Sequence, residues 1–299
     1  MTPAPTRRFG LAASRLHRDA TQAGLPAWIA ASGDGIRRLG LGLHAVGGAY
    51  DALAQAGLLQ GYAPLVRYPR GREGGLMRLV SRISGGLRPE DELDGIIYLQ
   101  DPVDPTTTYA EAHALKRQCV THQKPFVSTL AGAIEWVEVE LLHAGLPVQR
   151  PQTLFRLETQ TAALIAHDAL KDRMVAFAEA HFDLLSRYAH RVATGTTGER
   201  LNRMAWSRGW PADKPWVQRY LSGPLGGDAQ IAELVLDGAC HKVIFFEDPH
   251  VARQHEADIQ LLERAVCSVG EAASCINSPA MAERWALAVE RHLAVQALP

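Results

Sequence analysis

The second half of the chain alternates short apolar runs with segments of helical period. Residues 162–166 (AALIA) form a continuous apolar run closed by His167-Asp168, the pattern of a strand buried on both faces. Residues 170–189 then space Met174, Val175, Phe177, Ala178, Leu184 and Leu185 along one side of an amphipathic helix. The alternation continues with HRVAT (190–194) as strand, GTTG (195–198) as loop and ERLNRMAW (199–206) as helix. SGPLGG (222–227) reads as loop, DAQIAELVLDGA (228–239) as helix, KVIFFE (242–247) as strand, 248–258 as loop and DIQLLERAVC (258–267) as helix. Strands alternating with helices predict βαβ units and an α/β fold built on a mostly parallel sheet flanked by helices.

This topology gathers the polar clusters. His167-Asp168, residues 194–198, residues 222–228 and Asp248-Pro249 each follow a strand and precede a helix. In an open α/β sheet such loops share the edge at the carboxyl ends of the strands, where ligands bind. The pattern predicts one site before it predicts a chemistry.

The first half reads as a degenerate copy of the second. DGIIYLQDPVDPTTTYAEAHALKRQC parallels HKVIFFEDPHVARQHEADIQLLERAV, which sets Asp101-Pro102 against Asp248-Pro249. GREGGLMRLVSRISGG parallels GPLGGDAQIAELVLDG, LHAVGGAYDALAQAG parallels RVATGTTGERLNRMA, and AWIAAS parallels ALIAHD. Self-similarity in fixed order is the mark of tandem duplication. It predicts two domains, 1–145 and 155–299. The turn glycines are kept in the first, while the titrating groups are not. Leu76 stands against Asp228, Ala31-Ser32 against His167-Asp168, Val46, Gly48 and Ala49 against the three threonines, and Thr108 against His255. The first domain is therefore expected to be non-catalytic.

Composition excludes several classes. The 299 residues carry a formal net charge of -1, so no global basic field points to nucleic acid. No apolar run reaches the roughly 18 residues needed to span a bilayer. The arginine-bearing N-terminus lacks the apolar core of a signal peptide. Four cysteines without a C-x-x-C pair read as reduced thiols of a cytoplasmic protein.

The candidate site residues each admit two readings. Thr194, Gly195, Thr196 and Thr197 open a helix, where backbone N–H groups attract anions, yet a Gly/Thr segment is also a plain turn. Lys171, one helical turn beyond His167, and Ser222-Gly223 on the same edge favour a phosphate site. Asp228 follows a Gly-Gly pair and is either a helix cap or a carboxylate held against a ligand as general base. Asp168 is a cap or a site residue. His255 beside Asp258 is a surface histidine or a proton shuttle. His250 and His255 do not complete a metal motif, so no metal is expected.

The motifs LIAHDALK, VATGTTG, SGPLGGDAQIAELVLDG, VIFFEDP and HEAD, in this order, resemble methylglyoxal synthase from about residue 160 to 278. The resemblance implies two tandem methylglyoxal-synthase-like domains. It also implies conversion of dihydroxyacetone phosphate to methylglyoxal and phosphate without metal or organic cofactor. It assigns Asp228 as the base, His255 as the histidine that exchanges protons with the enediolate oxygens, and Asp168 and Asp258 as supporting carboxylates. It places His167, Lys171, Thr194, Gly195, Thr196, Thr197, Ser222 and Gly223 around the substrate phosphate. The implied partners are the small-molecule substrate, phosphate as inhibitor and further copies of the chain, with neither nucleic acid nor membrane. Arg67, Arg70 and Arg72 are candidates for the family arginine that reaches a neighbouring subunit's phosphate site. The alternative expectation is a regulatory phosphate-ligand-binding module of the same fold.

Overall fold

The computed structural model describes residues 7–19, 24–150, 155–250 and 256–296, with the side chains of 256–259 outside the description. The chain divides into two units, Met1–Gln149 and Arg150–Pro299. Each holds one five-stranded parallel sheet.

In the first unit the elements are β1 (Arg8–Ala13), α1 (Arg15–Asp19), α2 (Leu25–Leu39), β2 (Gly42–Ala45), α3 (Gly47–Gln55), β3 (Leu65–Arg67), α4 (Gly75–Ile83), β4 (Gly95–Leu99), α5 (Ala110–Thr121), β5 (Phe126–Val127) and α6 (Leu130–His143). In the second they are β6 (Thr161–Ala166), α7 (Lys171–Ala180), α8 (Phe182–Ser186), β7 (His190–Ala193), α9 (Gly195–Ser207), β8 (Gln218–Arg219), α10 (Gly227–Leu236), β9 (Lys242–Phe246), α11 (Glu256–Ser268), β10 (Ser274–Ile276) and α12 (Pro279–Gln296). The strand orders are β3-β2-β1-β4-β5 and β8-β7-β6-β9-β10, the same arrangement twice.

Burial explains the apolar runs. Every residue of β4, β6 and β9 is buried, as expected for strands covered by helices on both faces. Alternate side chains of β6 divide the second core. Ala163 and Ile165 join Ile231, Val235, Leu262 and Val266 of α10 and α11. On the other face Phe246 of β9 meets Phe177 of α7, ring centroids 5.6 Å apart. Even Lys242 at the start of β9 is buried, its ammonium donating to Ser274 Oγ at 2.6 Å and lying over the Trp285 ring.

Three sequence expectations need correction. GTTG is the first turn of α9 rather than a loop, because Thr194 takes the extended backbone of a cap (φ -71, ψ 155) and the helix begins at Gly195. The helix expected over 170–189 breaks at His181 into α7 and α8. AWIAAS is not the counterpart of the β6 strand. It lies in α2, whose buried Leu25, Trp28, Ile29, Ser32 and Ile36 recur at helical spacing. The central strand of the first unit is β1, RFGLAA, paired in parallel with β2 and β4.

In each sheet the chain moves outward through three strands and then returns to the other side of the first. The crevice of the second unit therefore lies at the carboxyl ends of β6 and β9, where the strand order reverses.

Candidate active site

Four loops of the second unit meet at that crevice. The first leaves β6. His167 donates its backbone N–H to Phe246 O at 3.1 Å, and its Nδ1 accepts the Asp248 N–H at 2.7 Å. The ring edge rests on Phe245, 4.8 Å between centroids. A backbone N–H can only donate, so Nδ1 is unprotonated and Nε2 carries the proton. The fold thus fixes both the orientation and the tautomer of His167.

Lys171 opens α7. Its Nζ bridges the Asp168 carboxylate and the Thr196 hydroxyl, so the first loop is tied to the second. The Lys171 side chain is only 14% exposed, whereas Asp168 is 94% exposed. Asp168 therefore stands on the rim, facing water and its lysine.

The second loop leads into α9. Thr194 and Thr197 are buried and Thr196 is exposed at the mouth. The Thr197 hydroxyl is buried without a hydrogen-bond partner. The first amides of a helix have no intrahelical acceptor. Here Gly195 donates instead to Leu221 O at 2.9 Å, which leaves the Thr196 and Thr197 N–H groups at the helix start. Gly195 is required by proximity, since a Cβ there would lie 2.9 Å from Ser222 N. Arg219 locks this turn by donating from Nε to Gly195 O at 3.1 Å.

The third loop explains the Gly-Pro-Leu-Gly-Gly-Asp run. Gly223–Leu225 is a 3-10 turn whose Ser222 carbonyl accepts from Leu225 at 2.9 Å and from Gly227 at 3.0 Å. Gly226 has φ 97, a left-handed backbone that favours glycine. A Cβ at Gly227 would collide with the Leu221 carbonyl. These two glycines reverse the chain so that α10 starts directly over the turn. Asp228, in the first turn of α10 and 9% exposed, folds back onto Gly223, where an added Cβ would sit 2.7 Å from Asp228 Oδ2. Its carboxylate therefore lies beside the Gly195–Ser222 contact.

The fourth loop follows β9. His255 lies outside the described residues. Asp258 falls in the first turns of α11, with its side chain outside the description. The structure thus brings together His167, Lys171, Thr194, Gly195, Thr196, Thr197, Ser222, Gly223 and Asp228, with Asp168 at their edge. Among the described residues no group of three or more His, Cys, Asp or Glu is placed to hold a metal ion.

Sequence reasoning set Asp248 on the rim but gave no role to the residues that act through the backbone. Asp248 holds His167 with its amide, and Arg219 grips a carbonyl. Buried Asn202 pairs with both polar groups of Val217 (Oδ1 accepting at 2.9 Å, Nδ2 donating at 3.1 Å) and so anchors the approach to β8. A buried asparagine within a helical face is the one signal that marked such a role. Arg67 and Arg70 both pair with Asp51, and Arg72 lies near Glu73.

The chain matches no family model. It is 50% identical over 107 residues to a methylglyoxal synthase of Thermus thermophilus, covering 36% of this chain and 77% of that protein. It is 41% identical over 115 residues to the Clostridium beijerinckii methylglyoxal synthase, covering 38% of this chain and 88% of the relative. The crystal structure of methylglyoxal synthase from Elizabethkingia anophelis NUHP1 is similar at 34% identity and a TM-score of 0.34, over 42% of this chain and 76% of that one. On the strength of relatives matched over most of their own length, the chain belongs to the methylglyoxal synthase family through a domain that occupies part of it.

Proposed function

We propose that the second unit converts dihydroxyacetone phosphate to methylglyoxal and inorganic phosphate. The observation that carries this reading is the buried Asp228 carboxylate folded onto Gly223, beside the turn where Gly195 meets Ser222. A base thus stands beside the turn that leads into the helix-start amides of α9, where Lys171 reaches Thr196, and amides and ammonium are the groups suited to a phosphate dianion.

Asp228 removes a proton from the hydroxymethyl carbon, and the electron pair forms the enediolate. The carbon–oxygen bond to phosphate then breaks, its electrons leave with the phosphate, and the enol of methylglyoxal remains to ketonise. Elimination requires that bond to stand perpendicular to the enediolate plane. A phosphate fixed by Lys171, Thr196 and the amides of α9 sets that torsion, which is positioning work. His167, its ring oriented by the Asp248 amide, donates to the developing oxyanion, and His255 exchanges protons with the enediolate oxygens. Asp168 offsets the charge of Lys171 until the dianion arrives.

Catalysis belongs to 155–299, since the first domain has Leu76 where the second has Asp228. Cys119, Cys240, Cys267 and Cys275 are all free thiols, which suits a cytoplasmic enzyme. A homo-oligomer, with three two-domain chains standing for six single domains, is the assembly this reading favours; light scattering giving a monomer at micromolar concentration would exclude it. The deciding assay incubates the purified chain with dihydroxyacetone phosphate and measures methylglyoxal and phosphate together. Equimolar release supports the reading, and absence of both defeats it.

A further inference from the structure

The first unit keeps the frame of the same rim. Leu11 and Leu164 hold equivalent positions, each paired with the alanine that closes the second strand, Ala45 or Ala193, and with an isoleucine of the fourth, Ile97 or Ile244. Counting from that register, Ser14 stands in the place of His167 and Arg18 in the place of Lys171. Gly48 holds the place of Thr196 and Leu76 that of Asp228.

The cation has kept its seat. Lys171 reaches Thr196, and Arg18 reaches Gly48, where an added Cβ would collide with Arg18 Nη1. Among the described residues Arg18 makes no ion pair, and its Nε is buried without a hydrogen-bond partner. Asp104, whose charge reaches Arg18, spends its oxygens on the Arg15 N–H at 3.0 Å and on the N–H and hydroxyl of Thr106 at 2.9 and 2.7 Å. A half-buried guanidinium that no described carboxylate contacts calls for an anion.

Two further donors face the same space. Ser14 is 2% exposed and its Oγ makes no hydrogen bond of normal geometry. Ser14 follows β1 at the position His167 holds after β6, and its N–H donates to Leu99 O at 2.9 Å. At the start of the nine-residue α3, Gly47 donates to Pro69 O, and Ala49 and Tyr50 donate to Val46 O. That leaves the Gly48 amide beside Arg18 for a ligand.

We propose that the first unit binds a phosphate group on Arg18, the Gly48 amide and Ser14. The group is held without turnover, because Leu76 offers no base. The choice of phosphate among anions rests on reading Lys171 and Thr196 as the phosphate grip of the second unit.

The test is an amide NMR titration of the full chain with inorganic phosphate at constant ionic strength, with glycerol phosphate in a parallel series. The Gly48 amide reports the first unit and the Thr196 amide the second. Saturable movement of Gly48 is expected, weakened at least about tenfold by Arg18→Gln while the Thr196 response is unchanged. Gly48→Ala fills the arginine's seat with a methyl group and is expected to weaken binding likewise. A Gly48 amide that stays still while Thr196 saturates overturns the proposal, as does a response untouched by Arg18→Gln. Movement of Gly48 without Thr196 defeats the reading of the second unit and leaves this site standing, whereas stillness of both defeats both. Tighter binding of glycerol phosphate than of free phosphate identifies the occupant as a monoester, and the reverse identifies inorganic phosphate.

Discussion

The Asp248 amide donates to His167 Nδ1 at 2.7 Å and so joins the carboxyl ends of β6 and β9 where the strand order reverses. The bond commits Nδ1 to the loop, while the proposed reaction uses Nε2. Asparagine places an oxygen where histidine has Nδ1. His167→Asn is therefore expected to keep the melting temperature nearly unchanged and to lose turnover by ~10²-fold or more. His167→Ala is expected to lose turnover and about 1–3 kcal/mol of stability, the cost of stranding a half-buried donor. Paired thermal melts and kinetics check this, and an Asn variant as active as the parent would free Nε2 of any role.

Asp228→Asn preserves the shape of the carboxylate on Gly223 and removes its basicity. Turnover is expected to fall at least ~10³-fold with KM little changed, because the proton transfer is lost while the phosphate grip remains. Steady-state methylglyoxal release is the measurement. Retention of even a tenth of the activity would move the base elsewhere.

Gly227 has no room for a side chain, its Cβ position being occupied by the Leu221 carbonyl, while Gly71 in the first unit has open space around it. Gly227→Ala is expected to cost about 2 kcal/mol or more, the scale of backbone displacement, and to abolish activity by shifting Asp228. Gly71→Ala is expected to fall within about 0.5 kcal/mol of the parent. Chemical denaturation of both variants reads the contrast.

Charged His181, at the break between α7 and α8, donates from Nδ1 to Glu290 at 2.7 Å and from Nε2 to Glu283 at 3.0 Å, both on α12. Burial alone would lower its pKa, but the hydrogen bonds to Glu290 and Glu283 and their charges outweigh burial and raise it. A histidine whose folded pKa lies above the unfolded value of about 6.5 contributes stability that is complete below that pH. The contribution is lost as pH rises through the folded value. His181→Gln should therefore cost more stability at pH 5.5 than at pH 9. Melting curves of the two proteins at both pH values test the sign, and an equal difference would show that the cluster stays uncharged.

The alternation of strand and helix was legible because β6, β9 and β4 are buried on both faces and must be apolar throughout. The rim was legible for the same reason, since parallel strands deliver their following loops to one edge. β8 was not, because an edge strand of two exposed polar residues, Gln218 and Arg219, leaves no hydrophobic trace. GTTG misled through composition. Glycine and threonine favour turns, yet here they start a helix because Gly195 must touch Ser222. AWIAAS misled through likeness, its apolar run belonging to the buried stripe of α2. The Arg219 and Asp248 contacts are made to or by the backbone, which side-chain patterns do not record.

Among the described residues every strand pairing closes within its own half, five strands to a sheet, with none exchanged. Substitutions that erode one sheet thus leave the hydrogen-bond ladder of the other whole. Such modularity would let one half keep the proposed reaction while the other diverges within the limits of its own ladder.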